Sequence, residues 1–285
     1  MNPKLSLVIG IICISFSPIF VKLADASPVV CAFYRIFFAW ICLLPYFLYK
    51  GNLKMQRKDL ILAMVGGLVF ASDIAVWNLS IKLISATVST LVANLAPVWV
   101  GLLSWLLFGK RSGWLFWVGT CIAIVGMVVL VGAANLIHLQ LNIGILYAVA
   151  SSLLYAIYIL TTKDILKRIS TLPFMFYNML AAGVFLLVIS LILGDEFFNY
   201  NLKTWGSLAA MGIICQLMGW ITINYAISHL ESTKVAITLL SQTVVTCLLA
   251  VFILNESLAL KEIIGSVIVL VGIAITFLKP NATIN

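Results

Sequence analysis

The residues with chemistry to offer lie inside long apolar runs. Arg35 and Asp73 are charged, Asn94, Gln216, Asn224 and Gln242 carry amides, and Trp77, Tyr155, Tyr158 and Trp220 join an aromatic face to a polar tip. Polar groups in such runs are costly, so they are expected to meet one another or to line a shared cavity. Their spacing is helical. Asp73, Trp77 and Ser80 fall at i, i+4 and i+7; Thr87, Thr90, Asn94 and Pro97 make a second stripe; Ser151, Tyr155, Tyr158 and Thr162 make a third. Gln216, Trp220 and Asn224 recur every four residues, and Thr238, Ser241, Gln242 and Thr246 share a face. A weaker stripe, Gly10, Cys13 and Ser17, precedes Pro18.

Aromatic rings and amides around one cavity suit a zwitterion or an organic cation, because ring faces attract an ammonium. Phosphorylated or nucleotide-like cargo needs paired cations, and only Arg35 lies well inside a run. Arg35 and Asp73 sit at similar depth, roughly 10 and 12 Å from the outer ends of their runs at the helical rise. Two roles follow. They pair and lock the fold or an outer gate, or Asp73 faces the cavity and binds a substrate amine or a proton. Desolvation favours the neutral form of a carboxylate that lacks a cation, which makes protons a candidate coupling ion. Pro97 removes a backbone donor inside its run, as a packing kink or as a break that exposes backbone polarity.

The elements that must position these groups follow from composition. Apolar residues are 64% of the 285 and charged residues 9%, too few to solvate a soluble surface of this size. Runs near 20 residues read as membrane helices, over about 5–22, 29–49, 60–81, 84–108, 114–132, 143–162, 172–193, 204–227, 231–254 and 262–278. They are longer than barrel strands and lack strict alternation. The expected fold class is an all-α integral membrane protein of ten helices around a central cavity.

Lys4, Lys50, Lys54, Arg57, Lys58, Lys110, Arg111, Lys163, Lys167, Arg168, Lys234 and Lys279 fall on one side, against Lys22, Lys82, Lys203 and Lys261 on the other. That bias places both termini in the cytoplasm of a bacterial inner membrane. The formal charge of +8 is dispersed between runs, so it reads as a topology signal rather than a nucleic-acid patch. Ala24-Asp25-Ala26 imitates a signal-peptide cleavage site, but cleavage would leave nine spans and unpair the halves, so the first run is read as a span.

Residues 66–132 align without gaps on 212–278: Asn78 falls on Asn224, Ile81 on Ile227, Thr87 on Thr233, Gly119 on Gly265 and Gly126 on Gly272. The glycine pairs, seven residues apart, suit close helix contact. Residues 1–138 and 139–285 are thus expected to be two five-helix repeats. An odd number of spans inverts the second relative to the first, as in alternating-access carriers whose substrate lies at the midplane.

The motifs N-L-x-P-V at Asn94–Val98, D-x-x-x-W at Asp73–Trp77 and Q-x-x-G-W-x-x-x-N-Y at Gln216–Tyr225 resemble the drug/metabolite transporter superfamily, EamA-like branch. So do Asn255-Glu256 with Gly265 and Gly272, and Gly119 with Gly126. The resemblance covers nearly the whole chain. It implies ten helices, inverted repeats, and export or exchange of amino acids and other small metabolites. Two positions depart: Lys110 stands where the pattern often has Glu, and Thr243 where Pro is usual.

No nucleophile–base pair or metal-ligand set is visible: His138 and His229 are far apart, and the six cysteines lie within apolar runs without C-x-x-C spacing. An enzyme, a cofactor and a nucleic-acid partner are therefore not expected. A small-molecule substrate and the bilayer are. A polar-lined channel and a non-transporting receptor are the competing classes, and monomer or homodimer is left open.

Overall fold

The computed structural model describes residues 2–50, 55–83, 89, 92–109, 111–131, 143–254 and 260–278. Expectations placed on Thr87, Thr90, Lys110, His138, Asn255 and Glu256 lie outside the described residues. Helices are the only regular structure among the described residues: α1 (Pro3–Ser15), α2 (Ser17–Leu23), α3 (Pro28–Lys50), α4 (Arg57–Leu83), α5 (Ala96–Phe108), α6 (Trp114–Val131), α7 (Ile143–Ile165) and α8 (Thr171–Leu193). Then come α9 (Leu202–Ala210), a π-helical segment (Met211–Gly219), α10 (Trp220–His229), α11 (Ser232–Thr238), α12 (Ser241–Leu254) and α13 (Leu260–Phe277). Among the described residues, six stretches are long and apolar enough to cross a membrane, and Ala96–Phe108, Trp114–Val129 and Ile263–Phe277 are shorter apolar helices. The protein is a multi-pass membrane protein.

Large apolar side chains cover the outside. Ile192, Phe252 and Leu106 are 78%, 80% and 69% exposed, a surface that only lipid makes favourable. The described ion pairs gather at one end of the bundle, where Arg168 bonds Asp59 at the start of α4 (3.1 Å) and Asp164 at the end of α7 (3.2 Å), and Lys234 meets Glu231 at the start of α11 (3.2 Å). Near the opposite end, Tyr34 on α3 donates to the Phe197 carbonyl (2.7 Å), and its ring lies 5.0 Å from Trp205. This seats the 194–201 connection on α3. Gly109 and Gly194 end α5 and α8 in the left-handed conformation (φ 64° and 70°), the C-terminal stop that glycine allows at least cost.

Two kinds of contact hold the helices. The first uses small residues. On α13, a Cβ at Gly272 would stand 2.5 Å from the Ala123 nitrogen and 2.7 Å from the Gly119 carbonyl oxygen on α6, and one at Gly126 would stand 2.9 Å from the Gly265 oxygen. The glycine pairs read from the sequence therefore do bring backbones together, as small residues do in membranes. The second kind uses single polar groups. Ser80 on α4 donates to the Gly144 carbonyl on α7 (2.7 Å), Asn78 to the Pro28 carbonyl on α3 (2.8 Å), and Ser6 on α1 to the Thr222 carbonyl on α10 (2.8 Å).

Candidate functional site

Among the described residues of the helices that carry the polar stripes, the backbone is irregular at four places. Phe16 separates α1 from α2, and Pro18 stands in the first turn that follows. Asn94 and Leu95 form a turn before α5, with i→i−3 bonds from Leu95 to Val92 (3.1 Å) and from Val98 to Leu95 (2.9 Å). Pro97 is accordingly an early residue of α5, where its missing N–H costs little, and not a kink inside a continuous helix. Leu239 and Leu240 interrupt α11 and α12 in the same way, with i→i−3 bonds from Leu240 to Ile237, Gln242 to Leu239 and Thr243 to Leu240, each 3.1 Å. The fourth place is the π-segment, a geometry that recurs at functional sites.

Polar side chains gather at these irregularities. Asn94 donates through Nδ2 to Thr243 Oγ1 (3.3 Å), so two of the breaks touch. Ser15, beside the break at Phe16, shares its hydroxyl between the Ile11 carbonyl (2.6 Å) and, at longer range, the Gln242 carbonyl (3.2 Å), and its own carbonyl accepts from Thr246 (2.9 Å). Two residues on, Ser17 accepts from Arg35 Nη1 (3.1 Å), and Arg35 Nε donates to Gln216 Oε1 in the π-segment (2.9 Å). A polar belt thus runs from α3 through the three breaks and the π-segment. Non-helical backbone at membrane depth is tolerated where protein buries it or where it lines a cavity.

Asp73 is the belt's carboxylate. Its side chain is buried, and Oδ1 accepts a 2.6 Å bond from Ser151 on α7, a length typical of charge-assisted bonds. The ion pair that the similar depths of Arg35 and Asp73 allowed, one of the two roles open to them, is not formed. The two lie in electrostatic range of each other and of Tyr155, but neutral partners hold each of them. Depth along a helix fixes height in the bilayer and leaves azimuth open, and the azimuth of Arg35 points it at Gln216.

The aromatic residues converge on Trp220. Phe70, Tyr158 and Tyr155 stand 4.7, 5.4 and 6.1 Å from its ring. The indole nitrogens of Trp77 and Trp220 are buried and meet no acceptor, and such groups call for an explanation. Tyr158 and Asn224 bond each other at 3.2 Å and are about 1% exposed, so they form the floor beneath the cluster. Trp77, Asn94, Tyr155, Gln242 and Arg35 are only half-buried. The sequence reading missed Ser15 and Phe70 and gave no sign of the π-segment. Phe70 precedes Asp73 by three residues on the same face, which could have marked it.

Comparison with known proteins fits this geometry. The model of the EamA-like transporter family matches residues 3–132 and again 142–278. The chain is similar to an uncharacterised transporter, YdfC, of Bacillus subtilis, with 23% identity covering 97% of this chain and 90% of that protein. It is also similar to an S-adenosylmethionine uptake transporter of Rickettsia prowazekii, with 22% identity covering 84% and 79%. A crystal structure shares the fold at TM-score 0.82 and 18% identity, covering 97% of both chains. Membrane helices, the polar belt and two family matches that together span the chain lead to one conclusion: this protein belongs to the EamA-like transporter family and is a transporter, not an enzyme.

Proposed function

We propose that the protein is a secondary carrier, an exporter or exchanger of small metabolites, working by alternating access across a bacterial inner membrane with both termini in the cytoplasm. Its ten spans form two inverted repeats, residues 1–138 and 139–285. The paired family matches over 3–132 and 142–278 support this reading. So do the breaks at 94–95 and 239–240, which fall within one residue of each other in the gapless alignment of the halves. The break at 239–240 forms although Thr243 replaces the proline usual there.

The observation that carries the proposal is the polar belt itself. Three interrupted helices and a π-segment bring Asn94, Gln242, Thr243, Gln216 and Arg35 together inside an apolar bundle, and broken helices near the midplane are where carriers bind cargo. The cargo class that fits is an amino acid or a related zwitterion or amine. Asp73 supplies a negative charge, and Trp77, Tyr155 and Trp220 supply ring faces for an ammonium. The similarity to S-adenosylmethionine uptake transporters keeps a second reading open, a larger cargo that itself contains an amino-acid group and a cationic centre. A nucleotide is less suited, because a single guanidinium meets the belt where a phosphate needs paired cations. Protons are the candidate coupling ion, with Asp73 as carrier of the charge and Arg35 and Pro97 at the points that move.

Counterflow in liposomes tests the proposal. Purified protein preloaded with a mixture of amino acids, amines and S-adenosylmethionine should accumulate labelled cargo saturably. Unsaturable flux with single-channel current would replace the carrier by a pore, and no flux of any compound would leave a binding protein without transport.

A further inference from the structure

Arg35 and Asp73 carry opposite charges into one interior region, and the fold keeps them from pairing. Charges withdrawn from bulk water, Asp73 almost wholly and Arg35 in part, ordinarily need a direct partner. Here the guanidinium is oriented by Ser17 through Nη1 (3.1 Å) and by Gln216 through Nε (2.9 Å), both neutral acceptors. The carboxylate is oriented by Ser151 through Oδ1 (2.6 Å). A guanidinium has five N–H donors, so these two bonds leave donors of Arg35 free, and they leave Oδ2 of Asp73 without an ion-pair partner. The Tyr155 hydroxyl lies in electrostatic range of both charges. The Tyr155 ring stands 6.1 Å from that of Trp220, a residue only 5% exposed whose buried indole N–H meets no acceptor.

We infer that this separated pair is a clamp for a free α-amino acid group. The cargo carboxylate bonds the guanidinium of Arg35, and its ammonium bonds Asp73 beside the Tyr155–Trp220 wall. Each charge of the cargo supplies the counter-charge that the fold withholds, so the site is electrically complete only with a zwitterion in it. Neutral clamps on Arg35 and Asp73 suit this task. They fix the two charges in space without neutralising them, and a cargo bearing one charge leaves the opposite protein charge uncompensated. The inference rests on the carrier reading above and narrows it to cargo with both an unblocked amine and an unblocked carboxylate.

Matched triplets test it: L-methionine, methioninamide and N-acetylmethionine, with the same three forms of L-phenylalanine and L-threonine, in counterflow by the wild-type protein. At least one free amino acid should exchange, and both of its capped forms should fall by about tenfold or more, the loss expected for one hydrogen bond to a charge. Arg35→Gln should shrink the preference for acid over amide while keeping the preference over the N-acetyl form. Asp73→Asn should do the reverse. These are ratios within one variant, so poor folding does not imitate them. Capped forms that exchange as well as the free acid would overturn the clamp and leave the carrier standing. Exchange of simple amines, with neither S-adenosylmethionine nor any free acid of the triplets exchanging, would likewise overturn it. No exchange of any compound would overturn the carrier reading and the clamp together.

Discussion

Thr243→Pro is the substitution that most sharply separates a broken helix from a continuous one. In a continuous membrane helix, proline removes an i→i−4 bond, clashes with the preceding turn and costs about 3 kcal/mol or more. Thr243, however, is the third residue of α12, and its N–H is spent on an i→i−3 bond to Leu240 (3.1 Å) just after the Leu239–Leu240 interruption. The perturbation removes that single bond, a net loss of about 0.5–1.5 kcal/mol. Restricting the unfolded chain returns about 0.4–1 kcal/mol. It also removes the Thr243 Oγ1 that accepts from Asn94 at 3.3 Å, so Thr243→Ala is the proper reference. Thr243→Pro should lie within about 1 kcal/mol of Thr243→Ala in thermal or denaturant unfolding of the purified protein. Leu248→Pro, further along α12 on a lipid-exposed position, should lie about 3 kcal/mol or more below wild type. If Thr243→Pro proved as damaging as Leu248→Pro, α11 and α12 would be one helix and the belt would lose one of its breaks.

Other substitutions probe the remaining supports. Gly272→Val would drive a side chain into α6, where even a Cβ falls 2.5 Å from the Ala123 nitrogen; it should destabilise by about 1–3 kcal/mol, while Gly206→Ala, with nothing within 4 Å, should be neutral, and equal melting of the two would refute the glycine contact. Asp73→Asn should fold normally and lose about tenfold or more of its transport, with Ser151→Ala falling less because the carboxylate keeps its charge; wild-type flux in Asp73→Asn would remove that residue from the site. Trp220→Phe deletes an N–H that meets no acceptor but also shortens a buried ring system, so stability to unfolding should fall by about 1–3 kcal/mol while the KM for cargo rises. A marked loss of stability with unchanged KM would make Trp220 a packing residue only.

Much of this architecture was legible in the residues. Apolar runs located most of the described helices to within a few residues, because hydrocarbon leaves an exposed backbone no other solution; the run at 84–108 lies partly outside the described residues, and the long helix described within it begins at Ala96. Pro97 offered one of the breaks through its missing donor, and Pro18 stands in the turn after another. The break at Leu239–Leu240 has no such residue. It comes with contacts between distant segments, Asn94 to Thr243 and Ser15 to the Gln242 carbonyl, that no local pattern encodes. The π-segment is equally silent in M-G-I-I-C-Q-L-M-G, where Gly212 lets α3 approach until a Cβ would meet that of Phe38 at 2.5 Å. Helical stripes grouped the polar residues by face but carried no information on which of them pair. Arg35 went to Gln216 and Ser17, and Asp73 to Ser151, although helix depth alone had brought the two charges level.

The central claim is that the belt at the helix breaks is where cargo sits, reached in turn from each side of the membrane. Single cysteines placed at Gln242 and at Asn94 in a background without the six native cysteines allow this to be measured with a membrane-impermeant thiol reagent, in right-side-out and inverted vesicles. Labelling should occur from both sides and slow in the presence of transported cargo. Absence of labelling from either side, or labelling that cargo leaves unchanged, would contradict it.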